Sequence, residues 1–126
     1  MAGGATVYEL SPTQGGWNFV TIYAFPGSFS SGGPTDTLTM DGNGNLYGTA
    51  FKDGAWGEGS VFKLARTSGG WTYTDLHDFM PGNYGQYPYG GVTIDANGNL
   101  YGTTINSGSD GCFGYGCGVV WQIAQP

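Results

Sequence analysis

The sequence predicts an all-β protein made of β-propeller blades, each a sheet of four antiparallel strands, with about two blades in the chain plus one extra strand. Three observations lead there. The first is composition: of 126 residues, 26 are glycine and 16% are aromatic, while only 10% are charged. Aromatic residues suit a pleated surface and glycine suits tight turns, whereas a disordered chain would be rich in charge and poor in rings. No stretch keeps apolar residues at helical spacing without a glycine interrupting it. The second is an internal repeat: Leu10, Trp17, Phe25 and Asp41 recur as Leu64, Trp71, Phe79 and Asp95, always 54 residues on. Residues 6–49 align with 60–103 without a gap, and 17 of those 44 positions are identical. The third is the turn Asp41-Gly42-Asn43-Gly44-Asn45 and its copy Asp95-Ala96-Asn97-Gly98-Asn99. Asn-Gly tolerates the positive φ that a tight hairpin demands and is a strong short-range hairpin signal.

Four strands, a to d, fill each period. The chain starts with a half blade at 5–25, in which strand c is Thr6–Leu10 and strand d runs from Trp17 to Phe25 after the turn at Gly15-Gly16. A full blade at 37–79 follows. Its strand a is Leu38-Thr39-Met40, and strand b is Leu46–Ala50, whose small residues let neighbouring backbones approach. Strand c is Ser60–Leu64, and after Gly69-Gly70 strand d covers Trp71–Phe79. A Pro/Gly/Tyr-rich linker crosses to the next strand a. The last blade, 91–124, has three strands: Val92-Thr93-Ile94, Leu100–Thr103 and a third copy of strand c, Val119-Val120-Trp121-Gln122-Ile123. The whole of 1–126 reads as a single repeat domain. A solenoid or a sandwich built from the same hairpins is the competing architecture.

Charge excludes two classes of partner. Formal net charge is −6, and Lys52, Lys63 and Arg66 are the only reliable cations. Nucleic acids and anionic membranes need clustered basic surface, which three scattered cations do not supply. The apolar runs are far too short to span a bilayer, so membrane insertion is not expected. Met1-Ala2-Gly3-Gly4 lacks the basic and apolar regions of a secretory leader, so if the protein is exported this is its mature part, or a piece given an initiating Met.

Cys112 and Cys117 are the two cysteines, in the loop Cys112-Phe113-Gly114-Tyr115-Gly116-Cys117. A metal site would want two more ligands, and the one histidine is His77. Thioredoxin-like chemistry wants two residues between the cysteines, and here there are four. A short local disulfide in an oxidising compartment is the expectation, with two free thiols as the alternative.

The Leu-Tyr-Gly-Thr strand, its Asp-x-Asn-Gly-Asn turn, the Gly-x-Val-Phe-Lys-Leu strand and the Gly-Gly-Trp turn together resemble the Gloeo/Verruco tandem repeat. That resemblance covers nearly the whole chain. It implies a propeller-like fold and a bacterial cell-surface or extracellular setting, and it brings no catalytic residues to carry over. The last strand departs from the pattern, with Trp121 and Gln122 standing where Phe62 and Lys63 stand.

Strand order c-d, a-b-c-d, a-b-c makes two blades and a surplus strand, and propellers typically close with about four to eight blades. An isolated pair would leave apolar faces and strand edges open, so self-assembly is expected. Strand addition between the a-b-c end of one copy and the c-d end of another would complete a blade. Such head-to-tail contacts close into a ring or grow into a filament.

Candidate chemistry is sparse. Asp41, Asn43 and Asn45 have the alternating oxygen spacing of a calcium loop, repeated by Asp95, Asn97 and Asn99, but an EF-hand site wants an acid further on and Lys52 stands there. Turn formation explains the same residues. His77 aligns with Tyr23 and has no nucleophile beside it in the sequence. Carboxylates for glycoside hydrolysis are available in Asp36, Asp53, Glu58, Asp75, Asp78 and Asp110, yet share no motif, and a solvated rim is their expected role. The loops carry more: Trp56, then Tyr84, Tyr87 and Tyr89, then Phe113 and Tyr115 place rings among Asn, Gln and Asp. Such a surface suits either a glycan or a subunit interface. The expectation is therefore a non-enzymatic extracellular module that self-assembles by blade completion, needing no cofactor, with a lectin-like glycan-binding module as the alternative.

Overall fold

A computed structural model describes residues 4–26, 32–107 and 111–126. The protein is all-β, with three antiparallel sheets among the described residues. The first sheet pairs β1 (Thr6–Thr13) with β2 (Gly16–Ala24). The second is a meander of β3 (Thr39–Met40), β4 (Leu46–Ala50), β5 (Ser60–Thr67) and β6 (Gly70–Asp78). The third holds β7 (Thr93–Ile94), β8 (Leu100–Thr103) and β9 (Val120–Ile123).

These strands occupy the expected positions with shifted ends. Pairing in the β1–β2 and β5–β6 hairpins continues down to Thr13↔Gly16 and Thr67↔Gly70, so β1 and β5 outrun the predicted ends at Leu10 and Leu64. Gly70 has φ 119°, which a side chain would resist, and this is why the tight end falls on the glycine pair. Strands β3 and β7 are shorter than predicted. Leu38 and Val92 leave the ladder, and their side chains pack into the core.

Asp41 explains the β3–β4 turn. Its Oδ1 accepts the N–H groups of Asn43 and Asn45, each at 2.9 Å, and its Oδ2 accepts Asn45 Nδ2 at 2.8 Å and the Tyr47 hydroxyl at 3.2 Å. Asp95 makes the same four bonds to Asn97, Asn99 and Tyr101. Each turn thus satisfies its own polar groups.

A bulge decides which way the outer strands face. Val61 pairs with His77 but Phe62 with Asp75, leaving Leu76 as the extra residue; Val7–Tyr23 and Tyr8–Thr21 do the same around Ile22. Side chains alternate along a strand, so one inserted residue reverses the facing of everything beyond it. Trp71 and Tyr73 consequently pack toward the first sheet while Phe79, of the same parity, packs toward the third.

Two apolar interfaces result, and they are copies of one another. Between the first two sheets lie Val7, Phe25, Leu46, Phe62 and Leu64, with Ile22 and Leu38 against them. Between the second and third lie Val61, Phe79, Val92 and Leu100, with Leu76, Trp121 and Ile123. Val7, Ile22, Phe25, Leu38 and Leu46 become Val61, Leu76, Phe79, Val92 and Leu100 at the same offset of 54, while Trp121 and Ile123 serve as Phe62 and Leu64. Bonds between sheets add to the packing: Thr49 Oγ1 donates to Gly90 O at 2.9 Å, and Thr39 Oγ1 donates to Val92 O.

The glycine of Leu-Tyr-Gly-Thr does a different job from the one expected of it. A Cβ on Gly48 would lie 2.6 Å from Phe62 Cζ, and one on Gly102 would lie 2.1 Å from Trp121 Cζ2. The missing side chain makes room for a ring on the paired strand, not for a second backbone.

Candidate functional site

Antiparallel order puts the β4–β5 and β8–β9 loops and the β6–β7 linker at one end of the sheets, and the Asp turns at the other. Backbone bonds join the three loops. Tyr87 N–H donates to Glu58 O at 2.7 Å, Ile105 N–H to Tyr87 O at 3.2 Å, and Gln86 and Asn106 bridge each other. Ser107 N–H then donates to Tyr115 O at 2.8 Å, tying in the cysteine loop. That loop turns through a short 3-10 segment, Cys112–Gly114, and Cys112 and Cys117 are disulfide-bonded with Cα atoms 5.3 Å apart.

Trp56, Tyr84, Tyr89, Phe113 and Tyr115 are exposed on this end, as expected. Tyr87 differs: it is half-buried, its ring 5.2 Å from that of Phe51, with Lys52 Nζ 5.7 Å from both centroids. Its hydroxyl is held protonated above the usual phenol range, first by a hydrogen bond to the Glu58 carboxylate and then by burial. Tyr87 therefore braces the loops.

Below them lies a group of acids that the sequence did not reveal as one. Asp75 is pushed up to about 6, first by burial, then by a hydrogen bond shared with Asp78 and by the negative charges of Asp78 and Asp53. Ser60 Oγ donates to Asp53 Oδ2 at 3.5 Å, and Asp78 Oδ1 is buried without a hydrogen-bond partner among the described residues. Tyr73 is raised beyond the usual phenol range, by burial and then by Asp75 and Asp53. Asp53 and Asp78 are half-buried and so depart from the expected solvated rim, while Asp75 remains exposed. Asp53 comes from a loop while Asp75 and Asp78 flank the bulge, so no spacing in the chain could show that they meet. Asp36 instead caps the crossing linker, its Oδ2 accepting Gly91 N–H at 2.8 Å, and Asp110 lies outside the described residues. His77 is exposed and packs edge-on to Phe79, with centroids 4.8 Å apart.

The calcium-spaced residues are committed to their turns. Burial pushes the Asp41 carboxyl up, but the amide and N–H of Asn45, the N–H of Asn43 and the Tyr47 hydroxyl outweigh it and hold it low. Asp95 is held low first by the Asn99 amide and N–H. Among the described residues, no three His, Cys, Asp or Glu side chains are grouped to hold a metal ion.

The other candidate surface is the outer face of the first sheet. Phe62 and Leu64 are fully buried, yet their counterparts Tyr8 and Leu10 are 54% and 49% exposed. Trp17 and Phe19, the counterparts of Trp71 and Tyr73, are 68% and 58% exposed. Tyr8 and Phe19 stack at 5.1 Å, making one continuous aromatic patch. At the opposite end of the stack Val120, which stands where Val61 is buried, is 79% exposed.

No family model matches the chain, and comparison with curated proteins and with solved structures finds no match to it. Among the described residues, no helix is long and apolar enough to cross a membrane.

Proposed function

We propose that the chain is a non-enzymatic, extracellular β-propeller-type repeat module that self-assembles head to tail, each sheet serving as a blade. One observation carries the reading. A single inter-sheet interface occurs twice at a fixed offset, and the two halves of a third are left open as the Tyr8–Leu10–Trp17–Phe19 face and the Val120 face. Apolar patches of this kind on a soluble protein mark interaction surfaces, and halves of one interface at opposite ends define a heterologous contact. Such contacts give a ring where the rotation closes and a filament where it does not. The disulfide supports an oxidising compartment.

Light scattering tests the proposal. Assemblies well above the 13.2 kDa chain mass are expected at micromolar concentration, and a stable monomer would overturn it. Electron micrographs then separate rings from filaments. A second reading, glycan binding by the loop end, is favoured by one feature: backbone bonds hold Trp56, Tyr84, Tyr89 and Tyr115 on loops that are joined to one another. Rings beside amides are what a pyranose needs. Saturable binding on a glycan array that is lost in Trp56→Ala would establish it, and a blank array would dismiss it.

A further inference from the structure

Self-assembly as proposed above leaves open which strands change partners, and the pairing registers answer that. Among the described residues β1 pairs only with β2, whereas its counterpart β5 has β4 on one side and β6 on the other. Beside the unpaired edge of β1 runs a groove of about 330 Å³, its walls including Tyr8, Glu9, Leu38, Met40, Leu46 and Trp71. A second pocket, walled by Thr6, Val7 and Pro34, shares Tyr8 and Leu38 with it. The groove is the place that β4 fills beside β5.

The strand that fits follows from the same comparison. In the second sheet Leu46, Tyr47, Gly48 and Thr49 pair with Leu64, Lys63, Phe62 and Val61. Moved back by 54, the acceptor residues are Leu10, Glu9, Tyr8 and Val7, which call for another Leu-Tyr-Gly-Thr strand. Strand β8 is one, Leu100-Tyr101-Gly102-Thr103. Its present partners are Ile123, Gln122, Trp121 and Val120 of β9, so β9 and β1 compete for one edge.

We propose that the β1–β2 hairpin of one copy replaces β9 on β8 of a second copy, forming a four-stranded sheet β7-β8-β1-β2 shared by two chains. Tyr8 then lies over Gly102 as Phe62 lies over Gly48, and Leu10 takes the place of Ile123. Trp17 and Phe19 come to the positions that Trp71 and Tyr73 occupy in the second sheet. Strand β8 offers four residues to either partner, and the β1–β2 ladder travels with the incoming hairpin, so the two arrangements have ladders of equal length. The burial of Tyr8, Leu10, Trp17 and Phe19, each about half exposed, favours the exchange. Each copy both gives a hairpin and receives one, so the exchange propagates head to tail. Two things oppose it: Trp121 and Ile123 leave the core when β9 is displaced, and Glu9, standing where Lys63 does, approaches the Tyr101 hydroxyl that Asp95 already holds.

A disulfide staple tests this without touching the donor hairpin. Thr103 and Val120 are paired and both exposed, so oxidised T103C/V120C locks β9 onto β8. Light scattering is expected to show assembled wild type, a monomeric oxidised staple, and return of the assemblies on reduction, with wild type under the same reductant as control. Assembly undiminished in the oxidised staple overturns strand exchange and leaves self-assembly by stacked faces standing; a monomeric wild type removes both. Independently, E9C/Y101C should form a ladder of covalently linked chains on a non-reducing gel, and single chains alone would overturn the register whether or not the staple folds. Glu9→Lys, which restores the cation of the second sheet, should raise the assembled fraction about twofold or more at low salt; no rise would count against the register.

Discussion

Gly48→Ala puts the reason for the Leu-Tyr-Gly-Thr glycine to a quantitative test. The added Cβ would meet Phe62 Cζ at 2.6 Å and Leu38 Cδ2 at 2.8 Å, both closer than carbon atoms tolerate. Phe62 has little room to retreat, since it is fully buried with the Phe25 ring 5.1 Å and the Tyr73 ring 5.9 Å from it. Overpacking a filled core by one methyl costs about 1–3 kcal/mol. For a domain of this size about 2 kcal/mol lowers the Tm by roughly 8 °C. Near-UV circular dichroism melts would read it, with the staple-free chain held at one concentration because assembly shifts Tm. Phe62→Leu in the same chain removes the ring edge the methyl strikes, so the double variant should be more stable than the sum of the two single losses by about 1 kcal/mol. A shift under about 1 °C for Gly48→Ala, or strict additivity in the double variant, would refute the account of ring over glycine.

Removing a titrating acid should reshape the pH profile. Asp75 is raised from 3.8 to about 6, so the folded chain holds a proton that the unfolded chain releases. Its contribution favours folding below about pH 4 and is lost as pH rises to about 6, and Asp75→Asn should flatten urea-melt stability across that window. Asp41 and Asp95 have the opposite sign: their carboxyls are held low, so the stability they give is present above their unfolded pKa near 3.8 and is lost as pH falls below it. Asp41→Ala leaves two N–H groups, an amide and a phenol without their acceptor and should cost about 1 kcal/mol at pH 7 in the same melts. Cys112→Ser/Cys117→Ser should loosen the loop without unfolding the sheets, seen as faster hydrogen exchange at Ser107 and Gly118, whose N–H groups bond Tyr115 O and Ser107 O.

Local chemistry made the sheets readable in the sequence. The Asp-x-Asn-Gly-Asn turns and the glycine pairs sit within a few residues of what they control, and β4 falls where its residues place it. Strand ends were less legible because pairing runs to the turn whatever the side chains are. The acid group below the loops was hidden for a different reason. Asp75 and Asp78 are three apart and would lie on opposite faces of a regular strand, but Leu76 bulges out and the parity changes between them. Asp53 reaches them from the β4–β5 loop, where no periodicity applies. Tyr87 was read as an exposed ring because its buried setting depends on Phe51 and Glu58, which are long-range neighbours.

The bulge also bears on how the sheets add up. Were strand d regular, Trp71, Tyr73 and Phe79 would share a face, and strand d would serve one interface only. With one residue inserted, Tyr73 serves the interface before the sheet and Phe79 the interface after it. A sheet that is apolar on both faces cannot terminate a stack without exposing one of them, and the exposed Tyr8, Leu10, Trp17 and Phe19 are that consequence on the first sheet. The repeated bulge, at Ile22 and at Leu76, thus lets strand d serve two interfaces, and on the first sheet one of the two is open.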